Sequence, residues 1–120
     1  MNFTKVESNQ NFPAGRWVSE NQIWEIGFLP VMYGVRVRVG LVGRDWVTLD
    51  YCAGADREFA LILLATVTRI LMALPESITE NQINQLFPKF EIKPINRDPY
   101  CWERLKELAA QAEQGYAIAI

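Results

Sequence analysis

The sequence predicts an α+β domain: a small antiparallel sheet of three to five strands packed against a long apolar helix, with a short helix and a C-terminal helix. Two patterns carry that prediction. Residues 31–52 alternate apolar and polar side chains, the period of a half-buried strand. Residues 58–75 are the most apolar run of the chain, and Pro75 ends the helix predicted over 57–74.

The chain has 120 residues, half of them hydrophobic and 22% charged, enough to bury the core of one domain. Residues 1–15 are rich in Asn, Ser and Gln and end in the turn signal Phe12-Pro13-Ala14-Gly15. They are expected to form a polar, loosely ordered N-terminal segment, with a single α+β domain over 16–120.

Residues 16–18 and 22–29 carry Trp and Ile and favour strands. Ser19-Glu20-Asn21-Gln22 also fits a helix capping box, but Gly27 and Pro30 would interrupt that helix early. Strand is therefore expected. Over 31–52 a hairpin is expected, with Val31, Tyr33, Val35, Val37 and Val39 on one face and Val47, Leu49 and Tyr51 answering them. A two-residue loop at Gly43-Arg44 would set Val39 against Thr48, so a three-residue loop or a bulge is required. Arg36 and Arg38 then share the outer face with Thr48 and Asp50.

Asp56 is placed to cap the apolar helix. Thr79-Glu80-Asn81-Gln82 repeats the capping-box signature without a following Gly, which predicts a short helix over 80–87 ending near Pro88. Residues 89–95 look like a further strand. Asp98-Pro99 opens the last helix, whose inner stripe is Trp102, Leu105, Leu108, Ala109 and Ala112, with Gly115 as its stop. The apolar tail 116–120 alternates like one more strand.

The apolar helix is too short for a membrane. A span needs about 20 apolar residues, and a central arginine costs about 2.5–3.5 kcal/mol on insertion scales. Here Arg69 interrupts the run. Only Glu58, Ala65, Arg69 and Ala73 make a narrow polar stripe, so burial on most sides is expected, against the sheet and against helices or a second subunit. A homodimer is the expected assembly.

There is no histidine, which excludes Ser-His-Asp triads, Cys-His pairs and HExxH zinc sites. Two cysteines are too few for a disulfide framework or an in-chain four-ligand zinc site. No metal or cofactor is expected. A net charge of −2 argues against a dedicated nucleic-acid binder. The opening residues show no secretory pattern, so a cytoplasmic protein with reduced thiols is expected.

Two groups of residues merit weighing as sites. Cys52-Ala53-Gly54-Ala55-Asp56-Arg57 is a strand–turn–helix junction at which a helix N-terminus and Arg57 would favour thiolate, while Asp56 would oppose it. Its plainer meaning is a strand-end cysteine, a turn glycine and an N-cap. The second group is Arg36, Arg38 and Arg44 with Tyr33 and Trp46, suited to an anion or an acidic partner. Its plainer meaning is a solvated face with arginine paired to Asp50 across the ladder. The function expected is a non-enzymatic protein-interaction module. The alternative is a small cysteine-centred enzyme or anion-binding protein using Cys52 and Arg57.

Overall fold

A computed structural model describes residues 1–89 and 99–115. The described elements are β1 (Phe3–Val6), β2 (Arg16–Ser19), β3 (Trp24–Val31), β4 (Gly34–Leu41), β5 (Leu49–Cys52), α1 (Arg57–Met72), α2 (Glu80–Leu86) and α3 (Pro99–Glu113). The five strands form an antiparallel meander in the order β1-β2-β3-β4-β5. The expected strand at 89–95, apart from Lys89, the Asp98 cap and the 116–120 tail lie outside the described residues.

The first fifteen residues supply a strand and a cover. β1 pairs with β2 along its whole length, with Phe3 opposite Ser19. Residues 7–15 then fold over the outer sheet face. Asn9 Oδ1 accepts from the backbone N–H of Asn11 (3.1 Å) and Phe12 (2.9 Å), which shapes the loop and delivers Phe12 to full burial. The polar residues of this segment thus include the turn chemistry that shapes its loop.

The strands expected at 16–18 and 22–29 are β2 and β3, joined by a polar turn. Ser19 Oγ accepts from Trp24 N–H (3.0 Å) and donates to Asn21 Oδ1 (2.6 Å), while Gln22 takes a left-handed φ of +63°. The helix-cap residues here cap a hairpin. The next turn departs from expectation. Val31 pairs with Gly34, so Met32-Tyr33 is a two-residue hairpin loop and the run 31–39 is not one strand. Val31 and Tyr33 are exposed instead of joining the valine face. Pro30 is tolerated because it lies beyond the last residue of β3 paired to β2, where no ladder partner awaits its missing N–H.

Across the second hairpin Val39 pairs with Leu49, Val37 with Tyr51 and Arg38 with Asp50. The face agreement demanded by alternation is met by a connection over 42–48, which also takes Val47 out of the strand. Trp24, Ile26, Val37, Val39, Leu49 and Tyr51 form the inner face of the core.

Asp56 caps α1, its carboxylate accepting from Phe59 N–H at 2.9 Å. Leu63, Val67, Ile70 and Leu71 of α1 are fully buried. α3 covers a second side, with Phe59 edge-on to Trp102 at 5.1 Å between ring centroids and Arg69 Nη1 3.0 Å from Glu113 Oε1. Buried Leu105, Leu108 and Ala109 match the expected stripe, to which the fold adds Cys101. α2 has its full capping box between Thr79 and Gln82. Gly115 follows α3 with φ of +72°.

Candidate functional site

α1 is buried on half of its surface, not most of it: eight of its sixteen residues are buried. No described helix is long and apolar enough to cross a membrane. The exposed half of α1 carries large apolar side chains beside its charged ones. Leu61 is 60% exposed, Ile62 53% and Met72 46%. Arg57, Leu61, Ala65, Thr68 and Met72 recur at helical spacing, which aligns them on one stripe.

That stripe faces the part of the sheet that α1 does not cover. α1 rests on β3 and β4, which leaves the inner side of β1 and β2 as the wall of a groove. Two hollows line up along it. One, of about 630 Å³, is bounded by Phe3 and Trp17 from the sheet and by Leu61, Leu64, Ala65, Thr68, Arg69 and Met72 from α1. The other, of about 420 Å³, is bounded by Phe28, Pro30 and Val35 of the sheet, Ala14 of the cover segment, and Arg57, Ala60 and Leu61 of α1. Leu61 borders both. Among the described residues the lining is apolar except for a threonine and two arginines, one at each end, and includes no carboxylate.

The Cys52–Arg57 junction is stapled to β4. Val35 N–H donates to Gly54 O and Ala53 N–H to Val35 O, each at 2.9 Å, and Gly54 takes φ of +64°. Gly34 permits this, since a Cβ there would run into the Gly54 backbone. The two candidate residues point to different places. Cys52 pairs with Arg36 on the outer sheet face beside Asp50, whereas Arg57 lines the groove on the inner side. Asp56, which engages Phe59 N–H, occupies the helix N-terminus between them.

The arginines of the second group are drawn to carboxylates. Arg36 Nη1 is 2.9 Å and Arg38 Nη2 3.6 Å from the same Asp50 oxygen. Arg44 is bidentate to Glu80, which also accepts from Thr48 Oγ1 at 3.0 Å, and Arg44 stacks 4.5 Å from the centre of the Trp46 ring. Tyr33 stands apart at the β3–β4 turn. The five residues therefore form three separate places. Among the described residues no group of His, Cys, Asp and Glu could hold a metal ion.

The Arg44 hydrogen bond holds the Glu80 carboxyl below the usual carboxylate range, aided by Thr48 and opposed by burial. A lowered folded-state pKa stabilises above the unfolded value of about 4.3 and is lost as pH falls through the folded value. Glu80→Gln is thus expected to cost about 0.5–1 kcal/mol at pH 7 and almost nothing at pH 2. Urea unfolding of both proteins at the two pH values checks this; an equal loss at both would show that charge plays no part. Tyr51 is shifted the other way, its phenol pushed up by burial and by Cys101 nearby, while its O–H donates to Pro88 O at 2.7 Å.

The fold and groove define a meander-and-helix α+β domain with one apolar helix face left open. Comparisons with protein-family models, curated proteins and solved structures find no match. Sequence periodicity gives Leu61 and Met72 the same weight as Leu63 and Leu71. Only the position of α1 on the sheet separates groove from core.

Proposed function

We propose that this chain is a non-enzymatic protein-interaction module of the cytosol and that the groove along α1 is its docking surface. The observation that supports this most is the exposed Leu61–Met72 stripe facing the open inner side of β1 and β2. Apolar surface rimmed by charge is the usual mark of a recognition site. The groove also suits a side chain from a partner better than a reaction, since among the described residues its lining holds no carboxylate or cysteine, and Arg69 is already paired with Glu113 beside it. A homodimer through the same stripe is the other way to cover it.

The test is a photoreactive phenylalanine analogue placed at position 61 and, as a control, at position 103 on the outer side of α3. Irradiation in cells of the source organism is expected to give a discrete protein adduct from position 61 alone. Equal adducts from both positions, or none from position 61, would remove the groove as a docking surface.

A further inference from the structure

We infer that the occupant of this groove is a second copy of the chain, the two α1 helices packing antiparallel about a two-fold axis at Ala65. This rests on the docking role proposed above and names the partner. The exposed positions Glu58, Ile62, Ala65, Arg69 and Met72 recur at spacings of four and three, the seam of paired helices. Ala65 is the midpoint of that seam, and its small side chain lets two backbones approach at the axis. Both signs of charge stand at each end. Arg57 and Glu58 are exposed at the N-terminal end; Arg69 and Glu113, 46% and 58% exposed, are paired at the C-terminal end.

An antiparallel two-fold contact brings unlike ends together. Arg57 of one copy then faces Glu113 of the other and Glu58 faces Arg69, and symmetry repeats both pairs, so each cation meets a carboxylate. Shape follows the same rule. Met32 and Tyr33 at the β3–β4 turn are 86% and 77% exposed. They stand at the Arg57 end, since Pro30 and Val35 on either side of them share a hollow with Arg57. The hollow of about 630 Å³ bounded by Phe3, Trp17 and Met72 lies toward the other end. The contact carries the apolar turn of each copy toward that hollow in the other. This extension matters for area. A strip of α1 about 24 Å long and about 10 Å wide, even counted on both copies, is less than the roughly 1,000 Å² that a stable interface buries. Each feature at one end thus has its complement at the other end of the same chain, the condition for a self-complementary interface.

Light scattering of the intact protein at high micromolar concentration is expected to give a dimer mass. Leu61→Glu and Arg57→Glu are each expected to weaken the association by about tenfold or more. Thermal unfolding confirms that both variants are folded; because both side chains are exposed, the midpoints are expected to stay close to that of the wild type. Ala65→Cys in a Cys52→Ser background is expected to form a disulfide-linked dimer under mild oxidation, since the axis sets the two thiols side by side. Glu103→Cys in the same background, on the outer side of α3, is expected to stay monomeric. A monomer mass, a dimer that Leu61→Glu leaves intact, or equal linkage from positions 65 and 103 would overturn the inference. The photoreactive analogue at position 61 separates this failure from that of the docking role. An adduct of twice the chain mass supports the second copy. An adduct with a different protein overturns the second copy and keeps the groove, and no adduct overturns both.

Discussion

Arg16→Ala is expected to lower the unfolding free energy by about 3–5 kcal/mol, because it leaves a carboxylate buried without its charged partner. Glu25 is 2% exposed, and Arg16 Nε lies 2.7 Å from its Oε1. β2 and β3 bring the two side chains to the outer sheet face, where residues 7–15 close over them. Arg16 also donates to Glu7 O, at 3.4 Å, so the same guanidinium ties down part of the cover. Replacing both partners by apolar residues, Arg16→Met with Glu25→Leu, is expected to recover most of the loss, since no charge is then stranded. Urea unfolding at pH 7 of the wild type, the single variant and the double variant measures this. A loss under about 1 kcal/mol for Arg16→Ala would mean that Glu25 reaches water when its partner is gone.

Gly27→Ala is expected to cost about 3 kcal/mol, at the upper end for overpacking. A Cβ at Gly27 would meet the Gly15 carbonyl oxygen and would lie 2.9 Å from Phe12 Cδ1. The Gly15 carbonyl has little freedom to withdraw, because it accepts from Phe28 N–H at 3.1 Å. Phe12 is fully buried and has nowhere to go. Gly43→Ala is the comparison. Its surroundings are empty, so its cost comes only from a φ of +87° and is expected to be about 1–2 kcal/mol. Equal midpoints for the two variants in thermal unfolding would show that the cover segment yields to the added methyl group.

Much of the fold is legible in local chemistry. Asp56 and Thr79 cap helices because their side-chain oxygens reach backbone N–H groups two or three residues on, a contact that needs no tertiary partner. That Val39 and Leu49 share a face follows from alternation, since a slip of one residue would turn one strand's apolar set to the wrong side, while the register itself is set by the 42–48 connection. The Met32-Tyr33 turn is not legible: it has none of the Gly or Asn that mark a two-residue loop, and Val31 and Tyr33 continue the alternation straight through it.

The candidate site divides in the same way. Residue type alone marks Arg36, Arg38 and Arg44 as cations near acids, and the ladder supplies Asp50 as the sequence suggests. The groove belongs to tertiary structure. By itself the sequence determined an α+β domain, the Asp56 and Thr79 helix caps and the facing of the β4–β5 hairpin, because each of these depends on neighbours along the chain or on a period of two. The tertiary structure decided that Leu63 is core and Leu61 is surface, that Gly27 exists for Phe12 and Gly15, and that Cys52 and Arg57 serve opposite faces. Those outcomes depend on where α1 and residues 7–15 lie against the sheet, and contacts between segments far apart in sequence leave no periodic signal in either one.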